Sequence, residues 1–149
     1  MINPTEALAR LMEGNERFQN EKTYHPLLHS KRRKELVGGQ SPFAVILSCS
    51  DSRVPQELIF DQGPGSMSVV RIAGNTITRS GLESTDYAVT QLGKNLIMVL
   101  GRDKCGAVKD VIAECSSKPA AGLPEIFANI CPAVEQAHWP QCGAAGEDT

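Results

Sequence analysis

Two cysteines stand where chemistry is most easily built. Cys49 lies in "SCSDSRVPQE", directly after the apolar run Phe43–Ser48, with Asp51 and Arg53 following at alternate positions. Cys105 lies in "GRDKCG", just past the apolar run Asn95–Gly101, with Arg102 three residues before it. A thiol so placed serves as a metal ligand, as a nucleophile or simply as a small buried hydrophobe. Taken singly, each residue has an ordinary reading: Cys49 as core packing, Asp51 and Arg53 as a surface ion pair worth about 0–1 kcal/mol. Their coincidence at strand ends, with a carboxylate and a guanidinium between the thiols, points to a site.

The elements that must position them are legible from pattern. Phe43–Ser48, Met67–Gly74 and Asn95–Gly101 are continuous apolar runs, the mark of strands buried on both faces of a parallel sheet. Between the last two, Leu82, Tyr87, Ala88 and Leu92 form a helical face with Gly93 as its stop, giving a strand, helix, strand unit. Parallel sheets bind ligands outside the carboxyl ends of their strands, so thiols fifty-six positions apart can meet at one mouth.

The chain opens on an amphipathic helix: Asn3 and Glu6 form the cap, Pro4 takes the first position, and Leu8, Leu11, Met12 and Phe18 recur at helical spacing. A charged surface passage follows, with one short helix around Arg32–Leu36. After Cys105 a helix carries Val108, Val111 and Ile112. A last helical stretch from Leu123 is interrupted at Pro132, which predicts a kink or a second segment. The chain is read as a single α/β domain over residues 1–149, with a helical arm at about 1–40, a core at about 41–137 and a polar tail.

Composition narrows the function. A net charge of −2 offers no electrostatic footprint for nucleic acid or anionic lipid. No run reaches the roughly 18 apolar residues of a membrane span, and the N-terminus lacks a signal peptide's apolar block, so the expected location is cytoplasmic. Five cysteines without an export signal argue against a disulfide framework, and Cys115, Cys131 and Cys142 read as structural or incidental. His25, His29 and His138 lie away from the strand ends and read as solvated surface.

The blocks "CSDSRVPQELIF", "VVRIAGN" and "LGRDKCGAV", in that order, resemble the β-class carbonic anhydrases, and the likeness extends from "ALARLMEGNERF" to "NICPAVEQA". The resemblance implies a mainly parallel β-sheet flanked by helices and a zinc site that interconverts carbon dioxide and bicarbonate. It assigns Cys49 and Cys105 as thiolate ligands and Asp51 with Arg53 as the catalytic pair. Asp51 would orient the zinc-bound water or replace it on the metal. Gly74 and Asn75 would pass near the substrate pocket. A homodimer or higher oligomer is also implied. Family members continue past the position of Thr149 with helical structure and an edge strand, so the C-terminal part is expected to be missing.

One departure decides the chemistry. Where the family has His-x-x-Cys, this sequence has Arg102-x-x-Cys105. A guanidinium stays protonated and offers no lone pair. A charge about 4 Å from a divalent ion costs on the order of 8 kcal/mol at an effective dielectric near 20. Four-ligand structural zinc binding is worth roughly 10–16 kcal/mol. Weak or absent zinc and strongly impaired hydration are therefore expected, unless Arg102 turns out to solvent and leaves Cys49, Asp51 and Cys105 to hold the ion. The alternatives are a metal-free binding or assembly subunit and a thiol redox or anion site, in which Cys49 and Cys105 can form a disulfide.

Overall fold

The computed structural model describes residues 2–24, 30–114 and 124–137. Within them β1 (Ala44–Ser48), β2 (Met67–Arg71) and β3 (Ile97–Leu100) form one sheet in the order β2-β1-β3, with both pairings parallel. Six helices accompany it: α1 (Pro4–Gln19), α2 (Ser30–Leu36), α3 (Gln56–Ile59), α4 (Arg79–Thr90), α5 (Gly106–Glu114) and α6 (Pro124–Gln136). The architecture is the α/β parallel sheet flanked by helices that the apolar runs predict.

The register fixes what meets what. Ser48 pairs with Arg71 on one side and Leu100 on the other, so the residues that follow all three strands emerge at one end of the sheet. Only β1, the central strand, is buried throughout. The expectation of burial on both faces fails for the flanking strands, where Ile97 and Val99 of β3 are exposed, because each flanking strand has a sheet neighbour on one side only. The second strand is also shorter than expected. It stops at Arg71, and Ala73–Asn75 form a 3-10 turn with Gly74 at φ 66°, a left-handed conformation that glycine adopts without strain.

Helix α1 begins as its cap predicts, with the Asn3 side chain accepting from the Glu6 N–H at 2.9 Å. Its buried face is Ala7, Leu11 and Gly14, whereas Leu8, Met12 and Phe18 of the expected apolar stripe are exposed. Small residues win the contact because the helix lies close against the chain that leaves α3. A Cβ built on Gly14 would sit 1.8 Å from the Phe60 carbonyl oxygen. Leu11, fully buried against Phe43, Ile46 and Phe60, contributes about 1.5–3 kcal/mol.

The same correction applies to α4, whose buried face is Gly81, Thr85 and Ala88, while Leu82 and Tyr87 point outward. Gly81 admits Ile72 and Val70 of the sheet side, since a Cβ there would lie 2.8 Å from Ile72 Cδ1. Helix α6 runs through Pro132 as one element, so the second segment offered as one of two expectations does not form. Proline removes one backbone bond, and burial of Phe127 and Ile130 against Val111 of α5 holds the helix across it. Helix α3 has no counterpart in the sequence reading. Its four residues are too few to show a period.

Two further readings bear on cysteine and histidine. Cys131 is disulfide-bonded, which fits the structural half of its reading and corrects the expectation, drawn from the odd cysteine count, that disulfides play no part. The readings of His25, His29, His138, Cys115, Cys142 and the polar tail lie outside the described residues.

Replacing Gly14 by alanine should destabilise the fold by about 1–3 kcal/mol despite the better helix propensity of alanine. The check is the urea midpoint, with Gly106→Ala, where nothing lies within 4 Å of the new Cβ, as the variant that should lose little.

Candidate functional site at the strand ends

The chain leaves β1 through Cys49 and Asp51 and leaves β3 through Gly101 and Arg102. Lys104 then takes a left-handed φ of 52°, and Cys105 opens α5 by accepting from the Lys109 N–H at 3.0 Å. These turns bring the two thiols together. Cys49 Sγ and Cys105 Sγ are 3.9 Å apart, both are buried, and neither is in a disulfide.

Asp51 is saturated by arginine. Arg53 donates to it from its backbone N–H, from Nε and from Nη2, each at 2.9 Å. Arg102 adds an ion pair from Nη2 to the same Oδ2 that receives Arg53 Nη2. The side-chain hydrogen bonds of Arg53, then its N–H, then the charge of Arg102 hold the Asp51 carboxyl far below the usual carboxylate range against the opposing effect of burial.

Arg102 does not reach into solvent: its side chain is 14% exposed. It folds back on its own loop, with Nη1 donating to the carbonyls of Asp103 and Lys104 at 3.2 and 2.9 Å. It also favours the thiolate at Cys49. Its Nε is buried without an oxygen or nitrogen acceptor among the described residues.

Burial pushes the Cys49 thiol up, but hydrogen bonds from the Asp51 N–H, the Arg102 side chain, the Gly74 N–H and the Cys105 side chain outweigh it. Together they lower it from 9.0 to about 7. Thiolate is thus accessible at Cys49 near neutral pH.

Gly74 therefore touches the site through its backbone. With Asn75 it also lines a mainly apolar cavity of about 500 Å³ whose other walls include Val108 and Ile130. Any side chain at 74 would collide with Ile130 Cδ1, 2.7 Å from the Cβ position. Sequence reasoning missed Arg71. It ends β2 and donates Nε to the Cys49 carbonyl at 3.2 Å and Nη2 to the Asp51 carbonyl at 2.5 Å, locking the loop that carries both residues. Its place in "VVRIAGN", at the end of a strand paired with the one that precedes Cys49, was the available signal.

An open parallel sheet with two thiols and an Asp–Arg pair at its carboxyl ends is the class of arrangement seen here. The family model for carbonic anhydrase matches residues 44–147. Carbonic anhydrase 2 of Mycobacterium tuberculosis is 45% identical over 89% of this chain and 65% of its own length, and the carbonic anhydrase of Mycolicibacterium smegmatis is 42% identical over the same shares. Among solved structures, the β-carbonic anhydrase CafA of Aspergillus fumigatus superposes with a TM-score of 0.59 at 28% identity, over 89% of this chain and 60% of that one. The chain belongs to the β-carbonic anhydrase family. It spans just under two thirds of the length of these two curated relatives.

Against the zinc that the family implies, the donors fit only in part. Two sulfurs sharing a tetrahedral ion at about 2.3 Å each stand about 3.8 Å apart, close to the 3.9 Å observed. The remaining positions fail: both Asp51 oxygens are engaged by guanidinium, and Arg102 has no lone pair to give. Among the described residues no three of His, Cys, Asp and Glu are placed to hold a metal. The residues present do not fit the group.

The alkylation rate of Cys49, followed by peptide mass spectrometry, should rise with pH to a midpoint near 7, because the thiolate is the reacting form. Arg102→Ala removes a cation that favours thiolate and should move that midpoint upward. An unmoved midpoint would show that Arg102 does not govern the thiol.

Proposed function

We propose that this chain is a β-carbonic anhydrase family protein in which hydration of carbon dioxide is strongly reduced, because Arg102 stands where a third zinc ligand is needed. The observation that carries this reading is the part-buried ion pair from Arg102 to Asp51. That contact engages the carboxylate that would orient a nucleophile and places a fixed positive charge where the family's site calls for a metal ion. The two thiols stand 3.9 Å apart, and the residue three before the second of them offers a guanidinium in place of a third donor. Carbon dioxide and bicarbonate remain the substrate pair of the reading. A cytoplasmic location and assembly of copies belong to it as well.

Zinc per chain by elemental analysis and carbon dioxide hydration by stopped flow, on the native sequence and on Arg102→His, test it together. The native chain should carry well under one zinc and turn over at least about a hundredfold more slowly than Arg102→His, beyond the 10- to 100-fold cost of losing an outer partner of a ligand. One zinc per native chain with equal turnover would overturn the reading. If neither chain binds zinc, the portion that the longer relatives possess, and not residue 102, limits the site.

A further inference from the structure

Cys49 and Arg102 also border a small cavity. This cavity of about 80 Å³ is lined by Ser48, Cys49, Gln56 and Arg102, with Val54 and Leu100 among its apolar walls. Three of its polar atoms are buried without a partner among the described residues: Ser48 Oγ, Gln56 Oε1 and Arg102 Nε. Ser48 is 1% exposed and Gln56 fully buried. Unpartnered buried polar atoms are costly and rare, and three around one small space mark a seat for a small polar molecule. The set offers donors in Arg102 and Ser48 and an acceptor in Gln56. At about 30 Å³ per water-sized group, the space takes a molecule of two oxygens.

We propose that Cys49 and Cys105 are a peroxide-oxidisable thiol pair, closed into a reversible disulfide by a hydroperoxide seated in this cavity. The proposal rests on the reading that no zinc is held between the sulfurs. Cys49 sulfur attacks one oxygen of hydrogen peroxide: the S–O bond forms, the O–O bond breaks, and the departing oxygen takes up the thiol proton and leaves as water. Arg102 Nε, buried and without a partner among the described residues, is the N–H available to that oxygen. Cys105 sulfur then attacks the Cys49 sulfur; the S–S bond forms, the S–O bond breaks, and hydroxide leaves as water with the Cys105 proton. The two thiols lose two electrons and the peroxide gains them. The sulfurs have to close from 3.9 Å to about 2.05 Å, a movement of side chains already in contact. Because Arg102 supplies no coordinate bond, nothing withholds the sulfur electron pairs from this reaction, whereas a zinc ion would.

The full chain, assayed for zinc and then treated with stoichiometric hydrogen peroxide, decides the matter by intact mass and non-reducing peptide mapping. The expected result is a loss of two hydrogen atoms, a Cys49–Cys105 linked peptide and full reversal by dithiothreitol. Cys105→Ser should halt at a sulfenic acid on Cys49, trapped by dimedone. Ser48→Ala should slow oxidation by peroxide about five- to tenfold, the worth of one hydrogen bond, without slowing oxidation by diamide, which the cavity does not seat. Zinc-free chain whose thiols survive, or go to sulfinic acid without the linked peptide, would overturn this proposal and leave the role of Arg102 standing. Stoichiometric zinc with protected thiols would overturn that role and the pair's redox function with it. Equal slowing of both oxidants in Ser48→Ala would remove the cavity from the mechanism.

Discussion

The Asp51 carboxylate, shared between Arg53 and Arg102, is the interaction on which the rest of the site depends. Arg53 approaches from two residues along the same loop and Arg102 from the end of the neighbouring strand, so one side chain ties two strand exits together. Two guanidinium charges on one carboxylate leave an excess of positive charge beside a buried sulfur. At the Cys49 thiol beside them, hydrogen bonds, that of Arg102 among them, prevail over burial. Histidine at 102 would present a lone pair in the same place. Arginine presents only protons, and the site turns from one organised around a cation to one organised around an anion.

The scaffold makes this possible without strain at most positions. Parallel pairing with Ser48 opposite both Arg71 and Leu100 delivers all three strand ends to one level. Arg71 then fastens the backbone of the Cys49–Asp51 loop, and Gly74 turns the chain so that its N–H faces the Cys49 sulfur. The apolar face between α5 and α6 closes the far side of that turn through Ile130. The sheet register, Arg71 and Gly74 thus place the backbone by contacts made away from residue 102, whereas the donor set beside the sulfurs turns on that residue.

Much of this was legible in the residues themselves. Continuous apolar runs announced a parallel sheet, and cysteines just past two of them announced a meeting of thiols, because strand ends in such a sheet converge whatever their separation in sequence. Arginine at 102 declared a missing donor from its chemistry alone. What stayed hidden was tertiary. Which face of α1 and α4 is buried depended on glycines that allow close approach, so Leu8, Met12, Leu82 and Tyr87 misled by their hydrophobicity. Arg71 works through backbone carbonyls, so its place at a strand end hinted at its position but not at what it holds. Nor does a sequence report three polar atoms left unpartnered around one small cavity.

The central claim is that a guanidinium, not a metal ion, occupies the space beside the Cys49 and Cys105 sulfurs. Anomalous diffraction at the zinc edge, from crystals of the full chain grown with zinc present, tests it most directly. The account predicts no anomalous peak at the sulfurs and an Arg102 side chain on Asp51 Oδ2. A strong peak about 2.3 Å from both sulfurs, with Arg102 swung into solvent, would contradict it.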